Sequence, residues 1–329
     1  MRKIFILFLA VACFTACVED NKLMFIPVGT IDKLTIRDVV PMNDEKTLLV
    51  LGQNNENYTE VYLCKQTEKG LEKDKRCRSK IVYSAICFNE GKVWVGGEDM
   101  ALRRSSDTAK NIPNGGDIKY TFTDWRQNWP AELSNLRGLS AKDGNLHYMY
   151  GTDDLFTGNF YWYERDDTVF FSKQTKCGLN DMLVYNNEVY LAGYGNIFHV
   201  TENGQKMDLE NVGGENFTGI TIVDDKFLFA CTYSGKVFRS EVGSGEWEKV
   251  YNEGKRFLHI QANKYGDVVV SGESKDVVIS NDSGNNWRKV HYDEGNKITY
   301  MGYIADKIYI GTEKGTIICL SHEGLSIHD

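Results

Sequence analysis

The chain has 329 residues and a formal net charge of −8, with 31 glycines, 4 prolines and 12% aromatic residues. The acidic balance excludes a protein built to neutralise nucleic-acid phosphates, which needs a basic face. Short runs of Tyr, Phe, Val and Ile, broken by Gly, Asn and Asp and lacking helical periodicity, exclude a helical bundle and predict all-β structure with many tight turns.

Taken in chain order, the first feature is Arg2-Lys3 followed by the apolar run Ile4 to Cys13 and then Phe14-Thr15-Ala16-Cys17. A basic start, an apolar core of roughly 10 residues and small residues before the break predict a secretory signal over residues 1–16. The run is shorter than the about 20 apolar residues that span a bilayer. The ending resembles a bacterial lipobox, although Phe14 stands where Leu or Val is usual. The resemblance implies cleavage before Cys17, lipid on its thiol, residues 17–22 as anchor and linker, and the membrane as a partner through that anchor. The alternative is an ordinary signal cut near Ala16. Val18 leaves out the aspartate linked to inner-membrane retention, and Glu19-Asp20 resembles an acidic surface-export tag. The expected address is the outer membrane or cell surface, with a periplasm-facing anchor as the alternative.

Residues 23–329 carry the body. Cys64 and Cys77 flank a polar, basic loop, so an oxidising compartment predicts a disulfide between them. Cys87, Cys231 and Cys319 alternate with apolar neighbours and read as buried thiols. No CxxC or His/Cys spacing suggests a metal, and no cofactor motif is present.

One theme recurs: a strand, a polar turn, a second strand ending in Gly, a third strand, and a polar turn to a fourth. Its copies open at Leu34, Ile81, Leu136, Leu179, Phe217, Phe257 and Ile298. The later ones recur every ~40 residues, the period of a four-stranded propeller blade. The expected fold is therefore a roughly seven-bladed β-propeller of four-stranded antiparallel blades. A ring must close its last sheet: Leu23–Val28 resembles the fourth-strand segments Trp247–Tyr251 and Trp287–Tyr292 and is expected to supply that outer strand, with the end of the chain, Leu325–His328, competing for the place.

Ser280-Asn281-Asp282-Ser283-Gly284-Asn285-Asn286-Trp287 reads Ser-x-Asp-x-Gly-x-x-Trp, and this octapeptide resembles the Asp-box of BNR-type propellers. Ser240–Trp247 keeps only the Ser and the Trp, and Thr201–Gly204 is a shorter remnant. The resemblance implies a structural turn on the face opposite the usual site: Asp282 accepting backbone N–H bonds, Gly284 at positive φ and Trp287 packing on its hairpin.

The site is expected where the inner strands start. Arg37, Asp38, Ser84, Arg137, Asn180, Asp181, His259 and Tyr300 stand there in sequence. Arg37 and Arg137, from different blades, could hold an anion or else pair with Asp38 and Asp181. Two departures from the repeat are assigned to the same face: the connection Ser106–Ser134, with Trp125 and Trp129, and Gly151–Asn159, with Phe156. Their aromatics would either stack on a sugar or peptide or tuck the insertion onto its own blade.

The favoured function is a non-catalytic binding or scaffolding module for a glycan or a protein. The Asp-box also resembles sialidases, which implies a glycoside hydrolase as the alternative. However, no Arg is followed by Ile-Pro or Leu-Pro, and no Tyr–carboxylate spacing stands out. A further alternative is an assembly factor, similar to the propellers with degenerate BNR repeats that help build photosystem II.

Overall fold

The computed structural model describes residues 23–322 apart from 43, 45, 68–69, 99–100, 106–121, 125–134, 164–168, 202–203, 205, 274–275 and 292–295. Within them, 28 strands form seven sheets, each of four antiparallel strands. The first strand of each sheet touches the first strand of the next, and that of the seventh touches that of the first. The result is a closed seven-bladed β-propeller around a central channel. We number the blades in chain order: blade 1 covers residues 34–79, blade 2 83–124, blade 3 136–175, blade 4 179–209, blade 5 217–252, blade 6 257–291, and blade 7 298–322 with 23–30.

The strand patterns follow from position in a blade. Second strands such as Val268–Gly272 and Lys307–Thr312 are buried along nearly their whole length, because a neighbouring blade covers each face. Outer strands such as Arg288–His291 are largely exposed and polar. The apolar core is accordingly seven clusters, one per blade interface. Several inner strands turn into their second strands through two residues at positive φ, as at Asn186-Asn187 and Asp224-Asp225. That geometry matches the right-handed twist of the flanking strands and suits Asn and Asp.

Leu23–Thr30 closes the ring. It pairs antiparallel with Thr316–His322, from Leu23 opposite His322 to Thr30 opposite Thr316, with a register shift at Val28. The outer hairpin of blade 1 holds this strand from the other side. Lys73 donates from Nζ to the Thr30 carbonyl at 2.8 Å. Leu71 packs so closely that a Cβ on Gly29 would meet its Cβ at 2.5 Å. The competing segment, Leu325–His328, and the signal and anchor residues, Cys17 included, lie outside the described residues.

The expected Cys64–Cys77 disulfide is absent, and both thiols are free. Cys64 sits opposite Lys73 and Cys77 opposite Val61. The two cysteines are thus three positions apart along the sheet, about 10 Å at the rise of a strand. They also face opposite ways: Cys64 packs into the blade 7–blade 1 interface, Cys77 into the blade 1–blade 2 interface. Burial pushes the Cys64 thiol up to about 12 and the Cys77 thiol up to about 11, so neither is a ready nucleophile. Alkylation in denaturant without reductant is expected to label both. A mass 2 Da lower with both unlabelled would contradict the register.

Candidate functional site

Near its start each inner strand carries one residue that has no partner on the second strand. The seven unpaired residues are Arg37, Ser84, Arg137, Asn180, Thr218, Leu258 and Thr299, where the register with the second strand shifts. A β-bulge bends the strand and re-aims a side chain. Here the same bulge, repeated in every blade, forms one ring at the channel.

Three of the ring's polar side chains are consumed by stitching blades together. Asn180 Nδ2 donates to the Phe217 carbonyl at 2.6 Å, Thr218 Oγ1 to the Phe257 carbonyl at 2.9 Å, and Thr299 Oγ1 to the Ile36 carbonyl at 2.6 Å. Each thereby reaches the residue just before the next blade's bulge. The residues after the bulge, with Tyr150 of the second strand of blade 3, add a second set. Asp38 accepts from the N–H of Val39 and from that of Ile86 in blade 2, both at 2.8 Å. Asp181 does the same with Met182 at 2.8 Å and Ile220 of blade 5 at 2.9 Å. Tyr300 donates its hydroxyl to the Val39 carbonyl at 2.6 Å, and Tyr150 donates to the Asn180 carbonyl at 2.7 Å.

Arg37 and Arg137 are the exposed members of this ring. Arg37 reaches Gln53 Oε1 at 2.9 Å, and Arg137 reaches Ser84 Oγ at 3.3 Å. Both partners are neutral. The arginines do not pair with Asp38 and Asp181, whose carboxylates are occupied by backbone N–H groups. The channel walls desolvate those carboxyls and push Asp38 up to about 7 and Asp181 up to about 6, against the lowering pull of the N–H bonds. Burial, with Lys297 nearby, holds His259 down to about 4, so its imidazole is neutral at pH 7.

Above the ring the channel opens into a mouth of about 720 Å³, lined by Arg37, Gln53, Ser84, Arg137, Asn180 and Leu155 among others. Below it the cavity of about 500 Å³ reaches Met301 and Tyr303. The rim loop between the second and third strands of blade 3 carries Leu155 and Phe156, 51% and 77% exposed. An Asx-type bond from the Phe156 N–H to Asp154 Oδ1 at 2.8 Å shapes that loop.

Of the residues expected at the site, Arg37, Arg137, Asn180, Asp181 and Tyr300 do line the channel, and Phe156 stands on its rim. Asn180, Asp181 and Tyr300 are structural stitches there. Trp125 and Trp129 lie outside the described residues. The Ser106–Ser134 connection is not one loop on the mouth face: Phe122–Asp124 within it is the outer strand of blade 2, pairing with Leu102–Ser105. Only the part after this strand leads from blade 2 to the next inner strand. Tyr150, Gln53 and Leu155 were missed. Stacking the copies on the apolar residue before each bulge, Ile36 with Ile298, would have aligned Thr299 with Arg37 in place of Tyr300.

The Ser280–Trp287 turn lies at the far face, between the third and fourth strands of blade 6. Asp282 Oδ1 accepts the N–H groups of Asn285 and Asn286 at 3.0 and 2.8 Å, and Gly284 has φ of +83°. Arg239 of blade 5 donates to the Ser283 carbonyl at 2.8 Å, so the turn also bonds blades together.

A second polar cluster sits on blade 4. His199 contacts Glu188 at 2.8 Å and Glu210 at 3.4 Å through its two ring nitrogens, and it stacks on Tyr190 at 4.2 Å. Trp247 of blade 5 donates to Glu210 at 3.0 Å. Burial opposes the charged imidazole, but the two carboxylates outweigh it and raise the His199 pKa. A raised folded pKa gives stability that is complete below the unfolded value of about 6.5 and is lost as pH rises through the folded one. The wild type is expected to outlast His199→Gln by up to ~1 kcal/mol at pH 6, a gap closing by pH 8, with solvent screening keeping it small. Denaturant melts of both proteins across that range would check this, and a constant gap would contradict it.

Fold and channel together define the class: a seven-bladed β-propeller with an arginine-bearing mouth. No family model matches the chain, and none of the curated proteins compared with it matches. Among solved structures it is similar to the WD40 β-propeller domain of Doa1, at 14% identity over 92% of this chain and 98% of that one, with a TM-score of 0.70. It is also similar to YCF48 bound to a D1 peptide, at 14% identity over 94% and 98%, TM-score 0.69. A third is a catalytically inactive virginiamycin B lyase from Staphylococcus aureus with quinupristin, at 13% identity over 91% and 99%, TM-score 0.67. At such identities the likeness shows the fold alone.

Proposed function

We propose that this chain is a lipid-anchored, extracytoplasmic propeller that binds a segment of a partner protein at its channel mouth and does not turn it over. The observation that carries this reading is the rim loop of blade 3, where Leu155 and Phe156 stand exposed beside the open mouth. Large apolar side chains left open at a concave site favour docking over idle exposure. The likeness to YCF48, solved with a D1 peptide, supports a polypeptide ligand. So does the ring chemistry: the amide and hydroxyls of Asn180, Thr218 and Thr299, which would read sugar hydroxyls, are already bonded to backbone carbonyls.

Two features support the absence of turnover. The channel tyrosines Tyr150 and Tyr300 donate to backbone carbonyls, and burial raises both pKa values well above the usual range. A tyrosine nucleophile needs a carboxylate base at hand, and the nearby Asp38 and Asp181 are engaged by N–H donors. The address rests on the apolar run Ile4 to Cys13 and on Cys17. A triacyl anchor there would hold the propeller at the membrane almost irreversibly.

Benzoylphenylalanine replacing Phe156 in living cells is expected to give a light-dependent protein adduct, and the same group replacing Tyr265, 52% exposed on the opposite face, is expected to give none. The reverse pattern would assign binding to the Asp-box face. Palmitate-analogue labelling is expected to tag the wild type and to be lost in Cys17→Ser. Cleavage of any aryl glycoside or sialoside by the purified protein would refute the non-catalytic reading.

A further inference from the structure

The ring of bulges separates two kinds of position. Where the unpaired residue is Asn or Thr, its side chain bonds the next blade and is spent. Where it is Arg, in blades 1 and 3, the side chain is exposed and finds only a neutral partner. Ser84, the unpaired residue of blade 2, stands between them and already accepts from Arg137. Three adjacent blades thus present Arg37, Ser84 and Arg137 as one arc on the mouth wall.

The arc carries two guanidinium groups that are not held in ion pairs. Among the described residues neither arginine has a carboxylate within ion-pair reach. Asp38 and Asp181 lie deeper, each occupied by two N–H donors. Among the described residues the acids that line the mouth itself are Asp154, whose Oδ1 accepts the Phe156 N–H, and exposed Glu98, and neither is paired with an arginine of the arc. Guanidinium groups offer several N–H donors in a planar fork that matches a carboxylate, and a partly dehydrated cleft strengthens the attraction. Next to this arc the rim supplies Leu155 and Phe156, which neither need nor reward a charged ligand.

We infer that the mouth binds a polypeptide carboxylate on the arc Arg37–Ser84–Arg137, with an adjoining apolar side chain of the same ligand against Leu155 and Phe156. The inference rests on the peptide-docking reading above and adds to it the chemistry that is recognised. The carboxylate is either a chain's C-terminus or an Asp or Glu side chain, since both present the same two oxygens. A ligand held this way lies along the mouth from blade 1 to the rim loop of blade 3. It does not enter the channel, whose wall below the arc carries the half-buried Asp38 and Asp181.

The test uses the exported protein without its anchor, immobilised, and two random octapeptide mixtures, one with free C-termini and one amidated. Captured peptides are sequenced by mass spectrometry. The expected capture is enriched in apolar residues beside an acid. Enrichment confined to the free-acid mixture assigns the C-terminus, and Asp or Glu enrichment in both mixtures assigns the side chain. Arg37→Gln with Arg137→Gln is expected to lower capture at least tenfold and to remove the preference for acids, at an unchanged melting temperature. Leu155→Ser with Phe156→Ser is expected to lower capture while leaving that preference in place. Capture that needs Leu155 and Phe156 but ignores acids and the arginine changes would overturn the anion assignment and leave the docking reading standing. Capture indifferent to both pairs, or none from either mixture, would overturn both. Retention of a uronate oligosaccharide in preference to every peptide would overturn the polypeptide assignment.

Discussion

A chain that starts at Ile31 is expected to lose cooperative folding altogether. The strand it lacks, Leu23–Thr30, pairs with Thr316–His322 at seven positions and is the outer strand of blade 7. Leu23 and Val28 are buried, and Phe25 packs against the blade 6–blade 7 core. Burying a side chain of the Leu or Val class stabilises by about 1.5–3 kcal/mol. Each ladder hydrogen bond adds about 1 kcal/mol net. The combined loss exceeds ~5 kcal/mol, comparable with the whole net stability of an ordinary domain. The damage is compounded because Thr316–His322 would become an open edge rich in Ile, Cys and Leu, a template for pairing with other chains. Equilibrium denaturation and light scattering on chains starting at Leu23 and at Ile31 would measure this. A soluble Ile31 chain with an unchanged midpoint would mean that the ring does not depend on its N-terminal strand.

Trp287→Ala is the single substitution expected to weaken the fold most at the far face, by about 3–4 kcal/mol, the lower part of the range for large aromatics because the ring is half-buried. Trp287 is the last residue of the Ser280–Trp287 turn in blade 6, yet its ring packs on Phe229 and Tyr251 of blade 5. Its ring lies 6.5 Å from Phe229, edge-on at 69°, and 5.4 Å from Tyr251. Its indole N–H donates to the Gly284 carbonyl at 3.0 Å, closing the turn on itself. Gly284 is bound to its place by its left-handed φ and by the Phe229 ring, which a Cβ would approach to 2.5 Å. Removing the indole therefore opens a cavity between two blades as well as loosening the turn. Peptide capture at the mouth is expected to be unchanged at temperatures where the variant is folded. A variant with a normal melting curve and no capture would make the turn a binding element.

Much of the architecture was legible in the sequence because its signals are local. Seven repeats of short apolar strands and polar turns suffice for a seven-bladed ring, since a four-stranded sheet with apolar faces on both sides can be satisfied only between two others. The match of Leu23–Val28 to other fourth strands was enough to nominate it for closure. The turn chemistry of Ser280–Trp287 lies within eight consecutive residues, so its internal bonds follow from the motif.

What the sequence could not determine depends on which way a side chain faces once the ring is closed. Cys64 and Cys77 flank one hairpin, which suggests a bridge. Strand alternation and the register opposite Val61 and Lys73 instead turn them to different blade interfaces. Arg37 and Arg137 look like partners for Asp38 and Asp181 in the linear chain. In the fold the bulge before Asp38 sends Arg37 outward, the bulge before Asp181 turns Asn180 to the Phe217 carbonyl, and both carboxylates reach the N–H of the next blade, while Arg137 sits on the bulge of blade 3 before Gly138. A bulge is a mismatch between two strands, and the partner of each bonded carboxylate lies about 40 residues or more away in the neighbouring blade, where only tertiary packing brings it. The sequence alone pointed to a ring of roughly seven four-stranded blades. The closed ring decided which polar groups are spent holding it together and which are left for a ligand.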